Sequence, residues 1–124
     1  MFKKQISIFL TPGIHMSPRG SNTCRYGPDR VREFCDKNGL SMIIRAHECV
    51  QAGYEYFADM KLLTVFSATN YCNQYDNDGA MIVLIRDENG QVCEHAQVMT
   101  SLITKYFNIH FFILIGIFQN LNFD

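Results

Sequence analysis

Hydrophobic and polar positions change period several times along the chain, and each change marks a different element. From Gly27 the sequence runs GPDRVREFCDKNG, with Val31, Phe34 and Cys35 at i, i+3 and i+4 among charged neighbours. That spacing predicts an amphipathic helix. Pro28 suits its first turn, where a missing N–H costs nothing, and Asp29 sits at the positive end of the helix dipole. Lys37 and Gly39 supply a stop. Ser41 to Arg45 reads as a short buried strand and Tyr54 to Phe57 as another, with Gly53 permitting a tight turn between them. Leu62 to Phe66 and Ala80 to Ile85 are unbroken apolar runs, the pattern of strands covered on both faces. Asn89-Gly90 is a strong hairpin signal, and Gln91 to about Val98 is the returning strand. The predicted order is helix, strand, then mainly β-hairpin segments.

Two polar stretches interrupt these elements, Ala46–Gly53 and the thirteen residues Ser67–Gly79. Long polar loops are uncommon in compact domains unless they carry function. Each of these leaves an apolar strand, so each can hold polar groups on a rigid base. The stretch Ile43-Ile44-Arg45-Ala46-His47-Glu48-Cys49-Val50 concentrates the chemistry. A strand that only filled a core would have no need of an imidazole between two charged side chains at its exit. One that delivers a metal ligand or a proton carrier to the mouth of a site would look like this.

Composition narrows the function classes. The chain has 124 residues, enough for one domain, and 48% of them are hydrophobic, which is globular rather than disordered. A net charge of −1 gives no electrostatic footprint for nucleic acid or an anionic membrane. Five cysteines at 24, 35, 49, 72 and 93 form no CxxC pair, which argues against a disulfide framework and for a reducing compartment, cytoplasmic or nuclear. The start, MFKKQISIFLTPG, lacks the longer apolar region and small-residue cleavage site of a secretory signal. The apolar run Ile109–Phe118, broken by His110 and Gly116, falls short of the roughly 20 residues that span a bilayer, which leaves a buried, membrane-surface or aggregation-prone segment as its readings, with a membrane partner not favoured.

Several segments together resemble the phosphoprotein-phosphatase family of serine/threonine phosphatases. SPRG at 17–20, YGPDRVREFCDKNGLSMIIRAHECVQAGYEYFA at 26–58, LLTVFSATNYC at 62–72 and DNDGAMIVL at 76–84 occur in that family's order and spacing. The Arg-Ala-His-Glu and Ser-Ala-Thr-Asn-Tyr-Cys forms are similar to the plant and protist Kelch-type members, and Thr69 stands where type 1 enzymes more often have Pro. The resemblance implies an α/β fold, part of a metallophosphatase-like α/β/β/α sandwich, with one main helix and mostly antiparallel or mixed strands. It also implies hydrolysis of phosphoserine and phosphothreonine in proteins by two divalent ions, manganese, iron or zinc. Phosphoprotein substrates and regulatory subunits are the implied partners, with no nucleic acid. Carried onto this sequence, His47 matches a metal ligand, Arg19 an arginine that clamps the substrate phosphate, Tyr71 a tyrosine beside the catalytic cleft and Cys72 the cysteine next to it. The roles are physically apt. A neutral imidazole suits these metals, and a guanidinium fork holds two phosphoryl oxygens at once. Without the resemblance, His47 reads first as a structural histidine, Arg19 as a solvated loop charge, Tyr71 as a half-buried aromatic and Cys72 as an ordinary loop thiol. His15, His95 and His110 read as incidental.

The family's other motifs, approximately GDxHG, GDxVDRG and GNHE, are not among these residues, so the chain supplies only one metal ligand. The expected map is a divergent leader at 1–16, the C-terminal part of a catalytic domain at 17–98 and a divergent apolar tail at 99–124. Such a chain is expected to be inactive by itself. The alternative reading is a catalytically dead truncated fragment with at most a partner-binding role.

Overall fold

The 3.6-residue spacing does form a helix, α1, spanning Pro28–Asn38. It starts at Pro28 and ends where Gly39 turns left-handed at φ 62°, its N–H meeting the Asp36 and Cys35 carbonyls. The computed structural model describes residues 10–20, 22–100 and the backbone of 117–118. The first nine residues of the expected leader, His110 and the expected apolar tail beyond residue 100 therefore lie outside the described residues, apart from that two-residue backbone segment. The chain divides into two units, residues 1–46 with 55–64 and residues 47–54 with 65–124.

In the first unit, β1 (Ile14–Met16) and β2 (Cys24–Tyr26) form an antiparallel ribbon with Ile14 opposite Tyr26. The hydrophobic pattern does not predict this ribbon, because its strands are three residues long and mostly solvent-exposed. Its base is tied down: the Gly27 N–H donates to the Gly13 carbonyl at 2.8 Å, and the Gly13 N–H donates to Asp29 Oδ1 at 2.8 Å. That donation, then Arg30, holds the Asp29 carboxyl below its ordinary value.

β3 (Ile43–Arg45), β4 (Tyr54–Phe57) and β5 (Leu62–Val65) make a sheet in the order β3-β5-β4. β3 runs parallel to β5, with Ile43 opposite Leu62, so these segments do not form the hairpin series that the linear pattern suggested. Parallel strands need a crossover rather than a tight turn, and here residues 46–61 provide it. All four residues of β5 are buried, whereas β3 is only half-buried. The core of this unit gathers Val31 and Cys35 of α1 against Ala58 and Leu62, with Ile43 and Phe57 packed beside them. Phe34, placed on the apolar stripe by its spacing, is 53% exposed. It lines a groove of about 380 Å³ with Val31, Ile43 and Leu62.

In the second unit, β6 (Gly79–Arg86) pairs antiparallel with β7 (Val92–Met99), from Gly79–Met99 to Arg86–Val92. β8 (Ile117–Phe118) lies parallel on the other side of β6. The hairpin at Asn89-Gly90 forms with a three-residue loop. The Asp87 N–H donates to the Gln91 carbonyl at 2.8 Å, Asp87 Oδ1 accepts from the Asn89 and Gln91 amides, and Gly90 takes φ 80°. No helix among the described residues is long and apolar enough to cross a membrane.

Candidate functional site

The two loops that the sequence marks out lie side by side within the second unit. The Asp78 N–H donates to the Gln51 carbonyl at 2.9 Å, and Gln51 Nε2 donates to the Asp76 carbonyl at 2.9 Å. One step further along, the Phe66 N–H donates to Gly53 O at 2.8 Å and the Ala80 N–H to Phe66 O at 2.9 Å. Gly53 is the expected turn residue, at φ 78°, and its absent side chain matters twice over. A Cβ there would stand 2.5 Å from the Gly79 carbonyl carbon and 2.6 Å from the Ala80 nitrogen. Gly79 is equally crowded, since its Cβ would meet the Ser67 carbonyl oxygen at 2.5 Å. Three backbone segments therefore approach one another here more closely than side chains would allow.

His47 opens the first of these loops, exposed to solvent and at φ 79°, an uncommon backbone state for a residue with a Cβ. Val50 of the same loop is buried. The second loop contains a single 3-10 turn, Tyr71–Asn73. Asn70, Cys72, Asn73 and Asp76 all have φ between 45° and 56°. Asn and Asp tolerate the left-handed region, but a cysteine has no such compensation, and strain of this kind persists only where surrounding structure holds it.

What holds it is Asn77. Its side chain is fully buried. Its Oδ1 accepts from the Tyr71 N–H at 2.9 Å, and its Nδ2 donates to the Ala68 carbonyl at 2.8 Å and the Asp78 carbonyl at 2.7 Å. Its own carbonyl accepts from the Asn70 N–H at 2.9 Å. No linear pattern singles out Asn77, one Asn among three in the polar loop 67–79. The apolar run starting just beyond it at Ala80 was the available sign that the chain re-enters the interior there.

Tyr71 is 44% exposed, its ring edge-on to Phe66 at 5.1 Å between centroids and tilted against Tyr75 at 5.9 Å. Cys72 is exposed beside it, and Cys49 of the first loop is partly buried. Burial, then the neighbouring Cys72 thiol, pushes Cys49 up from its ordinary value. The structure thus brings the loops of His47, Tyr71 and Cys72 together in one unit.

Arg19 belongs to the first unit, at the exposed tip of the β1–β2 ribbon. Its N–H donates to Ser17 Oγ at 3.2 Å, and the Gly20 N–H donates to the Ser17 carbonyl at 3.3 Å, which closes the turn. His15, read as incidental, has its ring Nε2 2.8 Å from the Pro12 carbonyl, and His95 lies exposed on β7. Among the described residues no three His, Cys, Asp or Glu side chains gather as a set that could hold a metal ion.

No family model matches the chain. The serine/threonine-protein phosphatase BSL2 of Arabidopsis thaliana is 53% identical over 75 residues, which is 60% of this chain and 7% of that protein. Among solved structures, a protein serine/threonine phosphatase from Saccharomyces cerevisiae, described as similar to human phosphatase PP5, superposes with a TM-score of 0.57 at 31% identity. That match covers 70% of this chain and 30% of the yeast one. The chain therefore spans only a small part of the proteins it matches. One match rests on sequence and the other on backbone, both are to serine/threonine phosphatases, and the helix with its mixed and antiparallel sheets agrees with them: the chain is similar to part of a serine/threonine phosphatase domain.

Proposed function

We propose that this chain is the C-terminal part, residues 17–98, of a catalytic domain that hydrolyses phosphoserine and phosphothreonine in proteins. The observation that carries this reading is the pairing of the two polar loops, one opening with His47 and the other bearing Tyr71, at the ends of apolar strands. In this reading His47 supplies one ligand to a pair of divalent ions, manganese, iron or zinc. The remaining ligands come from outside the described residues. Its exposure leaves the imidazole accessible to such an ion. Arg19, exposed on a closed turn, clamps the substrate phosphate, for which a planar guanidinium is well suited. Tyr71, propped by Phe66 and Tyr75, forms part of the cleft wall. Phosphoproteins are the substrates, regulatory subunits are further partners, and the working compartment is the cytoplasm or nucleus, consistent with five unpaired thiols.

A second reading has its own observation. The absence of a three-donor cluster among the described residues favours a catalytically inactive fragment with at most a partner-binding role. Phosphate release from a phosphoserine peptide by the 124-residue chain, with manganese added, separates the two. Metal-dependent turnover that disappears in His47→Ala supports catalysis by this chain. Absence of turnover at any manganese concentration favours the second reading.

A further inference from the structure

Among the described residues of the second unit, the most deeply buried polar side chain, Asn77, has no role in the reading above, yet it touches the backbone of the residue proposed to line the cleft. We infer that Asn77 is a positioning residue: its Oδ1 holds the Tyr71 amide and thereby sets the Tyr71 ring where the substrate would meet it. The part of this statement that concerns substrate rests on the phosphatase reading; the part that concerns Tyr71 does not.

The geometry is specific to an amide side chain. Tyr71 N–H requires an acceptor, and the carbonyls of Ala68 and Asp78 require donors. Only Asn or Gln offers one acceptor and two donor hydrogens on a single group, and Asn does so with the shorter reach. The group is fully buried, so water cannot replace a lost partner. The segment it spans includes Asn70, Cys72, Asn73 and Asp76, all left-handed, and would relax once the clamp is released. Tyr71 itself begins the 3-10 turn, so movement of its amide carries the ring away from Phe66 and Tyr75.

Amide exchange on the full chain, read by NMR with the ring resonances of Tyr71, tests the inference. In Asn77→Ala, protection at Tyr71 should fall by about tenfold or more, because a buried bond is lost without replacement. The Tyr71 ring resonances should shift, while amides of α1 such as Cys35 keep their protection. Equal loss at Tyr71 and Cys35, or loss at neither, overturns the inference.

Asn77→Asp provides the conservative variant. Its carboxylate would face two carbonyl oxygens in a buried site, which raises its pKa and favours the protonated form. Protonated, it accepts from Tyr71 and donates to one carbonyl. Its protection factor at Tyr71 should therefore recover as pH is lowered through the raised pKa, and the ring resonances should return toward the wild-type positions. An Asp variant that matches the Ala variant at every pH also overturns the inference. In the last arm a phosphoserine peptide is titrated into the wild-type chain. If no Tyr71 resonance moves, the substrate-facing part of the inference fails for this chain, and the exchange results still decide the positioning role.

Discussion

The two continuous apolar runs are nearly interchangeable as sequence, yet they have different fates. Leu62–Val65 is buried at every residue. Gly79–Arg86 is buried at Gly79, Ala80 and Ile82 and grades outward until Ile85 is 40% exposed. Both are the middle strand of a three-stranded sheet, so backbone pairing does not explain the difference. Cover does. β5 lies in the unit where the helix sets Val31 and Cys35 against Leu62 and Ala58, with Cys35 Sγ 3.8 Å from the Lys61 carbonyl. The start of β6 is wedged against Ser67 and Gly53, and its far half leads only to an exposed hairpin turn. An apolar run states how much surface could be buried; the elements packed on it decide how much is.

The sharpest way to break this comparison is to truncate one side chain in each run. Leu63→Ala removes a fully buried side chain and should cost about 2–5 kcal/mol in urea unfolding. Ile85→Ala should cost less than about 1 kcal/mol. Equal costs would mean that β6 has cover the described residues do not show.

Close approach is the next target. Gly79→Ala would force a Cβ within 2.5 Å of the Ser67 carbonyl and should cost about 1–3 kcal/mol, with the disturbance confined to the second unit in an NMR spectrum. Shifts spread equally over α1 would contradict a disturbance local to the Ser67–Gly79 contact.

pH sharpens the contrast for the first unit. The Gly13 amide and then Arg30 depress Asp29, while Lys37 and then Arg30 depress Glu33. Both carboxyls have folded values below their unfolded ones, so the stability they contribute is present above the unfolded range, about pH 4. It is lost as pH falls through the folded values. Asp29→Asn should flatten the acid limb of the stability curve, with a modest amplitude because both groups are solvent-screened. An unchanged acid limb would show that the Gly13–Asp29 bond is not maintained in solution.

The smallest effect expected is at the Arg32–Asp59 pair, 2.6 Å apart and largely exposed. Arg32→Gln should change stability by less than about 1 kcal/mol, and the difference should shrink in 1 M salt. A larger, salt-resistant change would place that pair in a drier setting than its exposure indicates.

Much of this was legible in advance for reasons that can be named. Tyr54–Phe57 appears as a strand with the expected bounds, and Pro28 and Gly39 bracket the helix, because these choices depend on local sterics and hydrogen-bond supply. His47, Tyr71 and Cys72 were legible as a set only through their resemblance to a family; their spacing says nothing about proximity. The β1–β2 ribbon was missed because three-residue exposed strands have no hydrophobic signature. Phe34 satisfied the helical period but lies over a groove rather than in the core.

By itself, then, the sequence determined the helix and its two ends, the short strands β3 and β4, the turn at Gly90 and the polar character of two loops. Each of these is decided by groups within a few residues of one another. The tertiary structure alone decided the parallel pairing of β3 with β5, the burial of one apolar run and not the whole of the other, and the capture of Tyr71 by Asn77. Those outcomes depend on which distant backbone supplies a partner or excludes water, and no local pattern records that.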